Sequence, residues 1–293
     1  MNDATANPLR RALPLFLFAG LCLSTLDATG KYLVRDHSLL LVVWARYAGQ
    51  MLVVAPFAWH RAGPGFWRTR KLRLQLLRSG MLVLATLGFF GGLRYLPLAE
   101  ASAITFLAPI FVVALSWPIL KEHATHARRM ASITGFVGIL ILLRPGSAVL
   151  HPAVVLLMGA ALANALYQLL TRRLLDESPH TTLFYSASVG TVVLTLALPF
   201  TVDVGEFSRA TIPLFVLMGL LAGAGHWCLT HAYLAAPASL LTPFTYLQIV
   251  WATAFGYAIF GQHPDGISAI GMAIIVASGV SLALWERRRM RLL

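Results

Sequence analysis

Hydrogen-bonding and aromatic side chains recur inside long apolar stretches of this sequence and are its candidate binding groups. An amide, phenol or imidazole in an apolar environment costs free energy unless it finds a partner, and a water-filled cavity supplies partners. The set comprises His226, Tyr246, Gln248, Trp251, Asn164, Tyr167 and Gln168, with Phe89, Phe90 and Phe106 as apolar wall. Because these residues fall at similar depth, we predict a central cavity for a neutral or zwitterionic small molecule. Packing of each aromatic ring, and a core histidine bonded to a backbone carbonyl, are the alternatives.

Three charged residues near the start of the chain form a second candidate cluster. Asp27 and Arg46 lie at equal depth in two consecutive stretches, roughly 10 Å from the same end at about 1.5 Å per residue. Lys31 stands one helical turn from Asp27. Since an isolated charge at this depth is costly, the sequence predicts a structural ion pair of Asp27 and Arg46, extended by Lys31. Contact with a substrate or a proton is the alternative.

The residue patterns of metal sites and nucleotide-driven enzymes are missing from the sequence. It contains no His-Glu-x-x-His run and no Gly-rich nucleotide-binding loop. His123 and His126 are three residues apart but lack a carboxylate at the spacing of a zinc site. We therefore predict no enzyme activity, no metal and no cofactor, and a membrane-embedded enzyme is kept as the alternative from another class.

The polar residues must be positioned by membrane-spanning helices. The chain has 293 residues, of which 58% are hydrophobic and 12% are charged, too few charges to cover a soluble core of this size. An apolar stretch of about 20 residues spans a bilayer as a helix, because only a helix satisfies its own backbone there. Ten such stretches predict an all-α membrane protein with ten transmembrane helices. They cover residues 12–34, 39–59, 74–95, 98–119, 127–144, 152–173, 180–201, 211–234, 238–260 and 267–286.

The connections between the stretches differ in charge. Most of the 23 Lys and Arg residues lie in connections on one side, including residues 61–73, 121–129, 172–173 and 287–291. The positive-inside rule then predicts that both termini are cytoplasmic. The membrane that we expect is a bacterial inner (plasma) membrane. These basic residues are expected to contact lipid headgroups, and we predict no nucleic-acid partner.

A weak internal repeat divides the chain into two halves. Residues 95–105 resemble residues 233–242, with Tyr-Leu, Ala-Ser and Thr in the same order. Because each half holds five helices, the sequence predicts a five-plus-five inverted-topology repeat, with residues 1–150 and 151–293 as the two halves. Such repeats enclose a substrate site near the bilayer midplane. Pro109 and Pro243, like Pro118, interrupt helix hydrogen bonds and are candidate hinges.

Several short segments resemble the EamA-type branch of the drug/metabolite transporter superfamily, and together they extend over nearly the whole chain. They are residues 92–101, 107–109, 121–122, 135–138, 143–146, 225–226, 232–233 and 243–252. The resemblance implies ten helices and metabolite transport, and it supports amino-acid export less strongly. Gln262 departs from the pattern, because many relatives have an acidic residue there.

We expect a secondary transporter that exports a neutral or zwitterionic metabolite, amino acids first, by alternating access through the central cavity. A carrier of riboflavin, a sugar or a nucleoside, or a drug exporter, is the alternative. With few buried carboxylates, facilitated export is favoured over proton coupling through His226 or Asp27. The oligomeric state stays open, with a monomer as the first expectation, because the Gly219 and Gly223 spacing can serve contacts within one chain as easily as contacts between two copies.

Overall fold

The computed structural model describes residues 8–121, 125–144, 151–200, 209–236, 241 and 244–290. Every regular element of more than three residues in these ranges is an α-helix. The helices are α1 (Pro8–Leu33), α2 (Leu39–Ala62), α3 (Leu72–Leu93), α4 (Leu98–Thr105), α5 (Ala108–Leu120), α6 (His126–Leu143), α7 (Ala153–Arg172), α8 (Pro179–Ala197), α9 (Ile212–Ala235), α10 (Leu247–Phe260) and α11 (Gly266–Met290). A 3-10 turn, Leu198–Phe200, extends α8.

The predicted class, an all-α membrane protein, is confirmed. Within the described residues, nine helical segments are long and apolar enough to cross a bilayer, and α4 and α5 together form one of them, Leu98–Leu120. The remaining predicted span is represented by α10, which has 14 residues and continues a segment that is only partly described.

The break between α4 and α5 falls at Phe106 and Leu107. Pro109 lies in the first turn of α5, where its missing N–H costs no helix hydrogen bond, so the helix restarts there without strain. Pro118 lies inside α5. Pro243, the other predicted hinge, lies outside the described residues. Among the described residues, the break therefore lies beside the predicted hinge Pro109.

Successive spans run in opposite directions, which gives the bundle two ends. The near end is where α1 begins and α2 ends, and the far end is where α1 ends and α2 begins. Arg94, which follows α3, donates to the carbonyls of Val34 at 2.7 Å and His37 at 2.8 Å, so α3 ends at the far end. Lys71, which precedes α3, binds Asp176 in the α7–α8 connection at 2.7 Å, so α7 ends at the near end.

Helices from the two halves of the chain pack directly against each other. The extensive contacts are α1 with α9, α3 with α7, α2 with α8 and α9, and α6 with α11, and smaller ones join α4 with α10. Glycine allows the closest of them: a Cβ added at Gly49 in α2 would overlap the Gly219 backbone in α9. The interior lined by both halves is therefore where a site can be built.

Candidate functional site

The far end of the bundle is closed by polar contacts. The Lys31 ammonium donates to the carbonyls of Leu93 at 2.7 Å and Leu96 at 2.6 Å, at the C-terminal end of α3. The last carbonyls of a helix lack intrahelical partners and carry partial negative charge, so a cation is stabilised there. Lys31 thus joins α1 to the end of α3 and, contrary to the sequence prediction, does not extend an ion pair with Asp27.

Two further contacts at the far end link the first half to the second. The Gln262 side-chain oxygen accepts a hydrogen bond from the Leu98 N–H at 3.1 Å, so it caps the start of α4, which has no side-chain cap of its own. Arg144, which caps the end of α6, pairs with Asp265 just before α11. The Arg144 guanidinium, together with the Ser268 amide, lowers the pKa of Asp265 to about 2. We call Leu98, Gln262, Arg144, Asp265 and Ser268 the far-end latch.

A cavity of about 460 Å³ extends from the middle of the bundle toward the near end. Both halves of the chain line it. Its polar wall residues are Ser116, Arg128, Ser132, Gln168, Arg172, Tyr246 and Ser278, and its apolar wall includes Phe106, Pro109, Ile110 and Ile275. No Asp or Glu is among its described wall residues. A volume of this size is typical of small-molecule sites.

An aromatic pair forms the inner wall of this cavity. The rings of Phe106 and Tyr246 stack with centroids 5.0 Å apart and planes inclined by 24°. Gly279 makes room for the phenol, because a Cβ at that position would overlap the Tyr246 ring. The structure therefore brings these two predicted residues together, from opposite halves, as a flat surface in the cavity.

Sequence reasoning did not identify Arg78, a buried arginine that makes four hydrogen bonds in the interior. Arg78 is 2% exposed, and each of its three nitrogens donates to a neutral group. The acceptors are Thr171 Oγ1 at 2.6 Å, Ser186 Oγ at 2.8 Å, the Thr182 carbonyl at 3.2 Å and Tyr167 OH at 2.8 Å. Tyr167 was predicted to line the cavity, but its phenol serves this network. The one available signal was Arg78 itself, a charge within an apolar stretch.

His226 is bonded to a side chain rather than to a backbone carbonyl. Its Nε2 lies 3.3 Å from Arg46 Nη2. Arginine can only donate, so the imidazole accepts through Nε2, which requires a neutral ring with its proton on Nδ1. Protonating His226 would remove this bond and place two cations side by side, which argues against the proton-coupling role considered for His226.

The predicted ion pair of Asp27 and Arg46 is not formed. Among the described residues, the Asp27 carboxylate has neither a hydrogen bond nor an ion pair within 4.0 Å. Arg46 instead bonds His226 and packs over the Tyr47 ring, 4.6 Å from its centroid. The prediction used depth alone, and equal depth does not decide which way two side chains turn.

The other predicted residues are dispersed. Gln248 and Trp251 line a separate, mostly apolar crevice of about 80 Å³ between α1, α9 and the start of α10. Phe90 is fully buried against Gly30, Phe89 packs on its ring at 5.7 Å, and Asn164 is half-buried in α7. His123 lies outside the described residues, and the described part of the chain holds no cluster of three or more potential metal ligands.

Comparison with known proteins agrees with this architecture. The model of the EamA-like transporter family matches the chain twice, over residues 10–144 and 151–284. The S-adenosylmethionine uptake transporter of Rickettsia prowazekii (strain Madrid E) is 28% identical, covering 99% of this chain and 98% of that protein. The riboflavin transporter of Rhizobium johnstonii (strain DSM 114642 / LMG 32736 / 3841) is 30% identical, covering 94% and 91%. A crystal structure with a TM-score of 0.70 and 18% identity covers 95% of this chain and 99% of its own, and shows the same fold. The chain belongs to the EamA-like transporter family of integral membrane proteins.

Proposed function

We propose that this protein is a secondary transporter that moves a small metabolite by alternating access between two inverted halves, residues 1–150 and 151–293. The family and the named relatives are transporters of small metabolites rather than enzymes. The single observation that carries the proposal is the cavity of about 460 Å³ lined by both halves and closed at the far end by contacts between them.

The pattern of helix contacts supports the inverted arrangement. In an inverted repeat, each helix of the first half corresponds to one of the second half: α1 to α7, α2 to α8, α3 to α9, and α6 to α11. The α1–α9 contact then corresponds to α7–α3, while α2–α8 and α6–α11 correspond to themselves. Each half holds five spans, so helices related by this exchange point in opposite directions.

We further propose that both termini are cytoplasmic, in a bacterial inner membrane. The near end carries Arg61, Arg68, Arg70, Lys71 and Arg73, as the positive-inside rule requires of a cytoplasmic face. In this orientation the cavity is open toward the cytoplasm and the far-end latch closes the outer side.

The cavity favours a metabolite with a flat ring. Tyr246 and Phe106 offer an aromatic surface, and the polar wall residues offer hydroxyl, amide and guanidinium groups. S-adenosylmethionine and riboflavin, the solutes in the relatives' names, both contain such a ring. Export of aromatic or other neutral amino acids is the second candidate. The direction of flux follows the gradient, because alternating access runs both ways.

Flux into proteoliposomes tests this function. Purified protein would be reconstituted and given labelled S-adenosylmethionine, riboflavin and L-phenylalanine in turn. We expect saturable uptake of at least one solute, and a roughly two- to tenfold loss with Tyr246→Ala, since aromatic stacking contributes about 0.5–1.5 kcal/mol. The matched control is Tyr257→Ala, because Tyr257 lies in α10, which begins directly after Tyr246, and is 59% exposed. Absence of saturable uptake of all three solutes, or equal loss in both variants, would contradict the proposal.

A further inference from the structure

The geometry points to a subsite for an α-amino-acid group, in which Arg46 and Gln50 bind the carboxylate and Asp27 binds the ammonium. This inference rests on the proposed transport function and specifies its substrate class. Asp27 lies on α1, Arg46 and Gln50 lie on α2, and Arg46 contacts His226 of α9.

The first observation is a set of buried hydrogen-bonding atoms without partners. Arg46 is 6% exposed, and its Nη1 has no hydrogen-bond partner. Gln50 is 0% exposed, and neither its Nε2 nor its Oε1 has a partner. The two residues are one turn apart on α2, so they share a helix face. Unpaired donors in a buried site are costly to a protein unless a ligand uses them.

The second observation is an acid that stands near this arginine without touching it. Asp27, on α1, interacts electrostatically with Arg46, but the described residues give its carboxylate no hydrogen bond and no ion pair. The Arg46 guanidinium and the Asp27 carboxyl therefore lie near each other, and neither has a charged partner within ion-pair distance among the described residues. Separated charges inside a membrane are costly, and bringing an opposite charge to each removes that cost.

An α-amino-acid group satisfies both charges at once. Its carboxylate accepts from Arg46 Nη1 and Gln50 Nε2, and its ammonium donates to Asp27. A simple amine would neutralise only Asp27, and a simple acid would neutralise only Arg46. His226 supports the site by holding Arg46 Nη2 at 3.3 Å, which fixes the direction of the guanidinium.

The test compares three solutes that differ only in their charged groups. L-phenylalanine, phenethylamine and 3-phenylpropanoate would be titrated calorimetrically into the purified full-length protein, alongside S-adenosylmethionine, decarboxylated S-adenosylmethionine and riboflavin. We expect each zwitterion that binds to do so at least tenfold more tightly than its counterparts lacking one charge, as expected where a site hydrogen-bonds the missing group. Asp27→Asn and Arg46→Gln should abolish that preference. Arg73→Gln and Asp176→Asn, in exposed positions at the near end, should preserve it.

Gln50→Leu separates recognition from folding. The substitution removes two unpartnered buried polar atoms, so the melting temperature should rise while zwitterion affinity falls about tenfold. A purely structural Gln50 would lose stability and leave affinity unchanged, which would overturn the inference. Saturable riboflavin transport without any preference for zwitterions would overturn it too, while leaving the proposed function intact. Failure of every solute to bind or move would overturn both.

Discussion

At the scale of single residues, the interior of this transporter contains cations that are stabilised in different ways. Arg78 is surrounded by hydroxyl and carbonyl acceptors, whereas Arg46 keeps one nitrogen unpaired. Lys31 binds the end of a helix. Only Arg46 keeps a hydrogen-bonding group for a ligand. We therefore assign Arg78 and Lys31 a structural role and place Arg46 in the proposed amino-acid subsite.

Arg78→Lys should destabilise the protein by about 2–3 kcal/mol. A lysine keeps the charge, but its single nitrogen cannot reach acceptors on both α7 and α8, and hydrogen bonds to charged groups contribute about 1.5–3 kcal/mol each. The measurement is unfolding of the detergent-solubilised protein, with Arg73→Lys as the control because Arg73 is exposed in the same helix. Equal stability of the two variants would show that the Arg78 network is not needed for folding.

The residue scale is also where sequence reasoning was least complete. The predicted cavity residues Phe106, Tyr246 and Gln168 do line one cavity, but Gln248 and Trp251 face another crevice. The depth of a side chain follows from its position along a helix. Its direction depends on how that helix is rotated against its neighbours, which the sequence pattern does not specify.

At the scale of helices, close backbone contact holds the two halves together. Gly49 on α2 meets Gly219 on α9, and a Cβ on Gly223 would overlap Val53. These contacts leave no space for a side chain, so they fix the separation of α2 and α9.

Gly49→Ala should therefore cost about 1–3 kcal/mol, the usual cost of overpacking a tight contact. Gly80→Ala is the control, because a Cβ on Gly80 in α3 meets nothing within 4 Å. Thermal unfolding of both variants in the same detergent is the measurement. If the Gly49→Ala protein were as stable as Gly80→Ala, the α2–α9 spacing could widen by a methyl group without loss of stability.

The far-end latch is the element that should govern opening to the outer side. Gln262→Leu removes the cap of α4 and should shift the population toward far-end opening about fivefold, since an N-cap contributes about 1 kcal/mol. Gln262→Glu, which keeps an acceptor oxygen, should behave like the parent. Pulsed electron paramagnetic resonance between spin labels at positions 36 and 267, with Cys22 and Cys228 replaced by serine, measures the separation. Identical distance distributions in Gln262→Leu and the parent would exclude a latch role.

Acid should loosen the same latch through Asp265. Its pKa is lowered from 3.8 to about 2 by the Arg144 contact, so the pair stabilises the closed end fully above about pH 4. That stabilisation is lost as the pH falls through about 2, when the carboxylate takes up a proton. The spin-label distance should stay constant from pH 8 to 5 and lengthen below pH 4. In the Asp265→Asn variant, residue 265 does not titrate, so the spin-label distance should lose this pH dependence. A transition near pH 6 in the parent protein would assign the effect to another residue.

At the scale of the whole molecule, the hydropathy pattern and the charge distribution predicted the fold class better than any single residue predicted the site. The all-α membrane class follows from the apolar stretches of the sequence, because the bilayer permits few other structures. The family model matches residues 10–144 and 151–284, and Tyr95 and Tyr233 lie in different matches. The structure differs from the sequence predictions where side-chain packing determines the geometry. The two cases are the span that is interrupted between α4 and α5 and the ion pair of Asp27 and Arg46, which is not formed.

The central claim is that two homologous halves lie in opposite orientations and alternate around a shared cavity. Single cysteines at Tyr95→Cys and Tyr233→Cys test it most directly, because these exposed residues occupy matching positions in the repeat. In a background without Cys22 and Cys228, a membrane-impermeant maleimide would be applied to intact cells and to permeabilised cells. We predict that position 95 reacts in intact cells and that position 233 reacts only after permeabilisation. Reaction of both positions from the same side would contradict the inverted arrangement.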